Sequence, residues 1–156
     1  MKINKHVDAV IGLQYGDEGK GKIAAGILSQ IEYDVTARFN GGPNAGHSIH
    51  KENGAHYALH QLPSSLVYGQ PGLIGPGCAV DYEKLQQEII EVNAIENLNV
   101  ENQLFIARNV CNISNKHILQ DKEFHKYKQG STSSGIAPAY SDFYNRTNNY
   151  WNKRKY

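Results

Sequence analysis

The stretch VDAVIGLQYGDEGKGKIAAGIL, residues 7–28, decides the fold. Val7–Leu13 is a short apolar run, which is typical of a buried strand. Gln14–Lys22 is rich in glycine and charge and therefore predicts a loop. From Ile23 onward, apolar residues recur at helical spacing. A strand, a glycine-rich loop and a helix in this order predict the opening of a βαβ unit.

The rest of the chain continues an α/β pattern. Asn53-Gly54 between two strand-like runs predicts a hairpin, and Asp81 ahead of an amphipathic segment predicts a helix cap. We predict further strands at 34–39, 48–51, 55–62, around Leu73-Ile74 and at 103–107, helices after Asp81 and at 113–127, and a polar loop at 129–138. The expected fold is α/β in one domain, residues 1–156, with a mostly parallel sheet, flanking helices and a small hairpin insertion.

Composition narrows the class of protein. With 40% hydrophobic and 20% charged residues, a chain of 156 residues is able to build a buried core. Sixteen basic against fifteen acidic residues give a net charge of +1, which argues against nucleic acid or an anionic membrane as a partner. No apolar run approaches the roughly 20 residues of a membrane span, and Met1–His6 is too polar for a signal peptide. Two cysteines do not make a disulfide framework. We therefore expect a cytoplasmic protein.

The first candidate site is the loop Gly16–Lys22. Glycines allow successive backbone N–H groups to point at one anion, and the following helix N-terminus and the lysines add positive charge. The spacing fits the phosphate-binding pattern G-x-x-x-x-G-K, but Ile23 stands where that pattern needs Ser or Thr for Mg²⁺. Asp17 offers a carboxylate oxygen for Mg²⁺ instead. The alternative is a surface turn with solvated charges.

Two further loops follow later strands. In Asn44–Ser48, His47 is positioned to face Asp17 across a substrate, as acid and base, if the ends of parallel strands converge there; a packing or surface histidine is the alternative. Gly130–Gly135 is a glycine loop rich in hydroxyls that suits a phosphate, with a flexible linker as the alternative. His56 and His60 share a strand face and do not predict a metal site.

Together the three loops resemble those of the adenylosuccinate synthetase family. Gln14–Ile23 is similar to the family's N-terminal motif, with Tyr15 where Trp is usual, and Gly41–Ser48 is similar to its second nucleotide loop. Gly130–Tyr140 resembles the third motif more loosely. The resemblance runs from about Val7 to Arg146 and implies a P-loop-NTPase-like fold.

The family joins L-aspartate to inosine monophosphate (IMP), using GTP and Mg²⁺. The resemblance implies that Asp17 takes the N1 proton of the base and binds Mg²⁺ together with the Gly46 carbonyl. The 6-oxygen of IMP would then attack the γ-phosphate of GTP. His47 would stabilise the transferring group, and the amine of aspartate would displace phosphate from 6-phosphoryl-IMP.

The resemblance also implies contact residues for both nucleotides. For GTP they are Gly16, Asp17, Glu18, Gly19, Lys20, Gly21, Lys22, Gly46, His47 and Ser48. For IMP they are Asp17, Glu18, Gly19, Lys20, Asn44, Ala45, Gly46, His47, Thr132 and Arg146. Arg146 matches an arginine that reaches the IMP phosphate of the neighbouring subunit, so a homodimer with shared sites is implied.

Members of this family are well over twice as long as this chain, and their later portion binds guanine and aspartate. We therefore expect a truncated or split form of the ligase, with a partner chain supplying the missing half. One alternative is the related viral enzyme of the 2-aminoadenine pathway, which acts on dGMP; it carries a small hydroxyl residue in place of the catalytic aspartate, and Asp17 argues against it. The other is a non-catalytic remnant that binds nucleotide or dimerises.

Overall fold

The computed structural model describes residues 6–14, 16, 18–125 and 132–147. Helices and strands account for much of this part of the chain. In chain order they are α1 (Lys20–Leu28), β1 (Thr36–Arg38), β2 (His47–His50), β3 (His56–Leu59), β4 (Gly72–Ile74), β5 (Ala79–Val80), α2 (Tyr82–Glu96), β6 (Leu104–Ile106), β7 (Cys111–Asn112), α3 (Asn115–His125) and α4 (Ile136–Tyr144). Short 3-10 helices lie at Ser64–Tyr68 and Val100–Asn102.

A parallel sheet organises the fold. Its order is β1-β4-β6, with Ala37 paired to Leu73 and Leu73 paired to Phe105. Strands β5 and β7 form a second parallel pair beyond the ends of β4 and β6. Parallel neighbours that are distant in sequence require crossovers, and α2 lies between β5 and β6 in the chain. The predicted α/β fold with a parallel sheet and helices is confirmed.

The predicted hairpin insertion is also present. Strands β2 and β3 pair antiparallel, with His47 opposite Leu59 and His50 opposite His56. Gly54 has a φ of +88° in the connection, a backbone conformation that glycine adopts without steric cost. The Asn53 side chain accepts a hydrogen bond from the Ala55 N–H at 3.0 Å, which tightens the same turn. The hairpin places His47 beside α1.

The core consists of two clusters of buried side chains. The main cluster joins α1, the hairpin, the sheet and α2, and includes Tyr57, Leu66, Ile74 and Cys78. The second, smaller cluster joins β5 and β7 to α4 and consists of Ala79, Cys111, Ile113 and Ala139, with partly buried residues packed on it. Neither cysteine forms a disulfide, and burial raises the pKa of both thiols, that of Cys111 to about 11.

One face of the parallel sheet lies open to solvent. Val35, Ala37, Phe39, Leu73 and Phe105 lie on this face, because side chains alternate along a strand. Phe39 is 58% exposed and Phe105 is 55% exposed. Parallel sheets are ordinarily covered on both faces, so this face is an apolar surface without a packed layer among the described residues.

Two sequence-based predictions of secondary structure were wrong. Val7–Leu13 forms no strand, and Val7, Ile11 and Leu13 are exposed, because no described strand pairs with this segment and nothing described covers it. The predicted loop 129–138 ends early, since α4 already begins at Ile136. Pro138 fits within the first helical turn, where its missing N–H would have had no intrahelical partner.

Three regions of the sequence analysis fall outside the described residues. They are the start of the chain, residues 126–131 and residues 148–156. Tyr15 and Asp17 also lie outside them. None of the described helices has the length and apolar composition that a membrane span requires.

Candidate nucleotide-binding site

The glycine-rich loop leads directly into α1. Gly19 has a φ of +76° at the N-cap position, and its carbonyl accepts the Ile23 N–H at 3.0 Å, the first bond of the helix. The first N–H groups of a helix have no intrahelical acceptor and carry partial positive charge. The loop therefore ends at a helix N-terminus of the kind that binds anions.

The donors of this loop already bind an anionic group, the carboxylate of Glu18. Glu18 Oε1 accepts the Gln14 N–H at 3.0 Å and the Gly16 N–H at 3.3 Å, and Glu18 Oε2 pairs with Lys20 Nζ. The Lys20 ammonium, with the backbone N–H groups of Glu18 and Gln14, lowers the pKa of Glu18 to about 2. Donors that converge on a carboxylate in this way are of the same type as those that bind phosphate oxygens.

His47, the first residue of β2, packs against α1. A methyl group on Gly21 would lie 2.4 Å from the His47 Cβ and 2.8 Å from its Cδ2, so only glycine allows this approach. On its other side, His47 Nε2 lies 3.1 Å from Ser64 Oγ. The structure thus brings the glycine-loop helix and the second loop together at the imidazole.

The surroundings of His47 keep its imidazole neutral. Burial, together with electrostatic repulsion from Arg38 and His60, lowers the pKa of His47 to about 4. Arg38, at the end of β1, donates a hydrogen bond to the His60 carbonyl and is itself half-buried, and this burial lowers its pKa. A neutral imidazole at neutral pH donates a hydrogen bond through one nitrogen and accepts through the other.

The second loop packs against α4, which follows the third motif. A methyl group on Gly42 would lie 2.8 Å from the Ile136 Cδ1, and the Tyr140 hydroxyl donates to the Gly77 carbonyl at 2.7 Å. A residue of α3 fixes the start of α4, because the buried Asp121 carboxylate accepts the Gly135 N–H at 2.8 Å. All three motifs of the sequence analysis thus lie on neighbouring elements.

The other predicted site residues are mostly on the surface. Asn44, Ala45, Gly46, Ser48, Lys20 and Lys22 are exposed. Thr132 is exposed, with its hydroxyl 3.0 Å from that of Ser134. Arg146, just beyond α4, has a φ of +61° and an exposed side chain. The predicted position of Asp17 opposite His47 lies outside the described residues.

Sequence reasoning missed three residues of this region: Arg38 and Ser64, which act on the imidazole, and Glu88, which holds the segment before Ser64. A signal existed for Arg38, since it ends a parallel strand on the side where ligands bind in such folds. No local signal existed for Ser64 or Glu88. Ser64 contacts His47 across a separation of 17 residues in the chain, and Glu88 binds backbone N–H groups that are 26 to 28 residues away.

The donor set is compatible with Mg²⁺ only through oxygen atoms of the loops and of a nucleotide. Among the described residues, no three His, Cys, Asp or Glu side chains gather into a group that could hold a metal ion. Mg²⁺ is usually bound by one or two protein oxygens plus phosphate oxygens and water. The Gly46 carbonyl is one of the two predicted ligands, and the exposed position of Gly46 fits that chemistry.

The parallel sheet and the glycine loop opening into a helix define an α/β protein of the P-loop type. Residues 9–152 match the family described as adenylosuccinate synthetase. The chain belongs to the adenylosuccinate synthetase family, a family of ligases in purine biosynthesis.

Individual relatives support the same assignment. The chain is 41% identical over 143 residues to the adenylosuccinate synthetase of Borrelia turicatae and 38% identical over 143 residues to that of Thermoplasma acidophilum. In both cases 89% of this chain matches 32% of the relative, so the chain spans about a third of the length of these proteins.

Two solved structures are similar in fold. Fully ligated adenylosuccinate synthetase from Plasmodium falciparum superposes with a TM-score of 0.75 at 34% identity, over 88% of this chain and 32% of that protein. Cyanophage S-2L succinoaminodeoxyadenylate synthetase, bound to dGMP and dATP, superposes with a TM-score of 0.69 at 25% identity, over 85% of this chain and 36% of that protein.

Proposed function

We propose that this chain carries the IMP, Mg²⁺ and phosphate-binding part of a GTP-dependent ligase that joins IMP and L-aspartate. The observation that carries the proposal is the contact of Gly21 with His47, which brings the glycine-loop helix against the second loop. The phosphoryl group passed from GTP to IMP would lie between these two loops.

The arrangement of donors around Glu18 supports a role in phosphate binding. Two backbone N–H groups and Lys20 converge on one anionic group, and α1 begins immediately afterwards. Catalysis of phosphoryl transfer consists largely of positioning and electrostatic stabilisation, which such donors supply. Lys22, exposed in the first turn of α1, would add a second positive charge.

In the proposed reaction Asp17 removes the N1 proton of the hypoxanthine ring, which makes the 6-oxygen a nucleophile toward the γ-phosphate. Asp17 and the Gly46 carbonyl would hold Mg²⁺, which neutralises charge on the phosphate oxygens when it is bound. His47 would act as a neutral hydrogen-bond donor to the transferring group, because its pKa is lowered to about 4. Asn44 and Thr132 would contact IMP.

The later steps need residues beyond those of this chain. Because the chain spans about a third of its relatives, we propose that the guanine and aspartate sites come from further polypeptide. We also propose a homodimer in which Arg146 reaches the IMP phosphate of the other subunit. Arg146→Ala should weaken IMP binding in the dimer, and an equal loss in a proven monomer would contradict this arrangement.

Calorimetric titration of the purified chain tests the proposed function. IMP is titrated first, and GTP is then titrated with and without Mg²⁺. Saturable binding of IMP and Mg²⁺-dependent binding of GTP phosphates are expected. Asp17→Ala should weaken the Mg²⁺-dependent part, whereas Asp34→Ala, which removes an exposed aspartate, should leave it unchanged.

Two results of these titrations would count against the proposed function. Absence of binding by either nucleotide, or equal binding by the Asp17→Ala and Asp34→Ala variants, would contradict the proposal. A parallel titration with dGMP examines the second candidate, a relative of the cyanophage enzyme, which is also similar in fold. Binding of dGMP in preference to IMP would assign the chain to that activity instead.

A further inference from the structure

A buried hydroxyl group lies against the imidazole of His47. Ser64 is the first residue of the 3-10 helix Ser64–Tyr68 and is 7% exposed. Its Oγ lies 3.1 Å from His47 Nε2, across 17 residues of chain. Pro63, and not Ser64, is the N-cap residue of this short helix. The hydroxyl is therefore not explained by the local turn.

A buried carboxylate fixes the backbone that leads to Ser64. Glu88 on α2 is 6% exposed, and it accepts the N–H groups of His60 at 2.8 Å, Gln61 at 2.9 Å and Leu62 at 3.1 Å. Three hydrogen bonds to one charged group hold this segment firmly, because bonds to ionised acceptors are the strong ones. Pro63 then continues in extended conformation, with φ −60° and ψ 138°, directly into Ser64.

The imidazole is thus held between two fixed contacts. Its Cγ–Cδ2 edge faces Gly21 on α1, and its Nε2 faces Ser64. The proton of a buried hydroxyl needs an acceptor, and a neutral imidazole has one unprotonated nitrogen to offer. A bond from Ser64 O–H to Nε2 leaves the proton of the ring on Nδ1.

We propose that Ser64 is a positioning residue, which fixes the orientation and tautomer of His47 so that Nδ1–H is presented to the transferring phosphoryl group. The proposal rests on the proposed function for the identity of that group. Ser64 itself would not touch a nucleotide. It acts through the ring, in the way that a partner of one histidine nitrogen determines what the other nitrogen does.

The neighbouring serine offers a matched control. Ser65 is also fully buried, but its hydroxyl donates to the Pro71 carbonyl at 3.1 Å. Ser65→Ala removes the same atom from the same 3-10 helix without removing a contact of His47. An effect of the Ser64 hydroxyl on the ring should therefore separate from a general effect on packing.

The experiment is a long-range ¹H–¹⁵N correlation spectrum of the imidazole rings in the ¹⁵N-labelled full chain at neutral pH, with His47→Gln to assign the signals. In the unaltered chain we expect Nε2 unprotonated and Nδ1 protonated. Ser64→Ala should shift the Nε2 signal and mix the tautomers, and Ser65→Ala should not. Ser64→Cys keeps the size of the side chain but donates only a weak hydrogen bond, so it should change the spectrum in the same direction. If Ser64→Ala does not fold, the spectrum of Ser64→Cys tests the proposal in its place.

A protonated Nε2 in the unaltered chain would overturn the proposal, and so would ring spectra that Ser64→Ala and Ser64→Cys leave unchanged. These spectra need no nucleotide, so a failure of IMP or GTP to bind sinks the proposed function without touching the role of Ser64 at the ring. Where GTP with Mg²⁺ does bind, Ser64→Ala should weaken it about three- to tenfold, the effect of one lost hydrogen bond, and Ser65→Ala should leave it unchanged.

Discussion

Gly21 of α1 lies so close to His47 of β2 that a methyl group on Gly21 would stand 2.4 Å from the His47 Cβ. A Cβ cannot rotate away as the end of a long side chain can. Gly21→Ala must therefore displace either α1 or the hairpin. We expect it to lower the free energy of unfolding by about 1–3 kcal/mol, the usual effect of overpacking, measured by urea denaturation.

Gly26, on the same helix, provides the control for this prediction. A methyl group at Gly26 meets nothing within 4 Å. Gly26→Ala should raise the free energy of unfolding by about 0.5–1 kcal/mol, because alanine favours the helix. Equal stability of the two alanine variants would mean that α1 and His47 are not in close contact.

The His47 imidazole should make stability depend on pH in metal-free buffer. Its pKa is about 4 in the folded chain against an ordinary value of 6.5, so the unfolded chain binds this proton more readily. The contribution is fully present above pH 6.5 and is lost as the pH falls to about 4. It amounts to about 3 kcal/mol at most.

Denaturation midpoints of the unaltered chain and of His47→Gln, compared between neutral pH and pH 4, measure this dependence. The variant should lose less stability over that range. Identical pH profiles would contradict a neutral, buried imidazole at this position. His56→Gln serves as the control, because His56 is exposed on β3.

Asp121 should stabilise the chain through the start of α4. Its carboxylate is 4% exposed and accepts the Gly135 N–H at 2.8 Å. Asp121→Ala leaves that N–H without this acceptor, so we expect a loss of about 1–3 kcal/mol in the free energy of unfolding. Glu123→Ala, an exposed change on the same helix, should lie within about 0.5 kcal/mol of the unaltered chain. Similar losses in both variants would refute a specific role for Asp121.

Adjacent residues of β6 should lose very different amounts of stability on the same substitution. Leu104 packs against the main core cluster, whereas Phe105 lies on the open face of the sheet and is 55% exposed. Leu104→Ser should cost about 2–4 kcal/mol, and Phe105→Ser should cost far less. Phe105→Ser should also reduce any association that sedimentation detects at high concentration. A large loss of stability in Phe105→Ser would mean that this face is packed.

Local patterns in the sequence predicted the elements that local forces determine. Asn53-Gly54 indicated the hairpin, and Asp81 caps α2 by accepting the Lys84 N–H at 3.2 Å. Hydrophobic runs placed β1, β4 and β6 correctly. These features depend on residues within a few positions of each other, so a single sequence contains their signal.

The errors arise where distant contacts decide. Val7–Leu13 has the composition of a buried strand, but a strand needs a paired neighbour and cover, and the described residues supply neither to it. The polar stretch 129–138 suggested a loop up to Pro138, although the first turn of α4 accepts this proline. The contact between Ser64 and His47, and the hold of Glu88 on the segment before Ser64, depend on the register of β2 with β3 and on the placement of α2. No pattern among neighbouring residues in the sequence predicts these contacts.

Because the core is divided into two clusters, the two parts of the chain are able to open at different rates. Cys78 belongs to the main cluster and Cys111 to the smaller one that supports α4. A buried thiol with a raised pKa reacts with an alkylating reagent only when its surroundings open. The alkylation rate of each cysteine therefore records how often its own cluster opens. We expect Cys111 to react first, because fewer buried contacts hold its cluster. The packing of α4 on β5 and β7 would then open on its own timescale, while α1 and His47 stay in place.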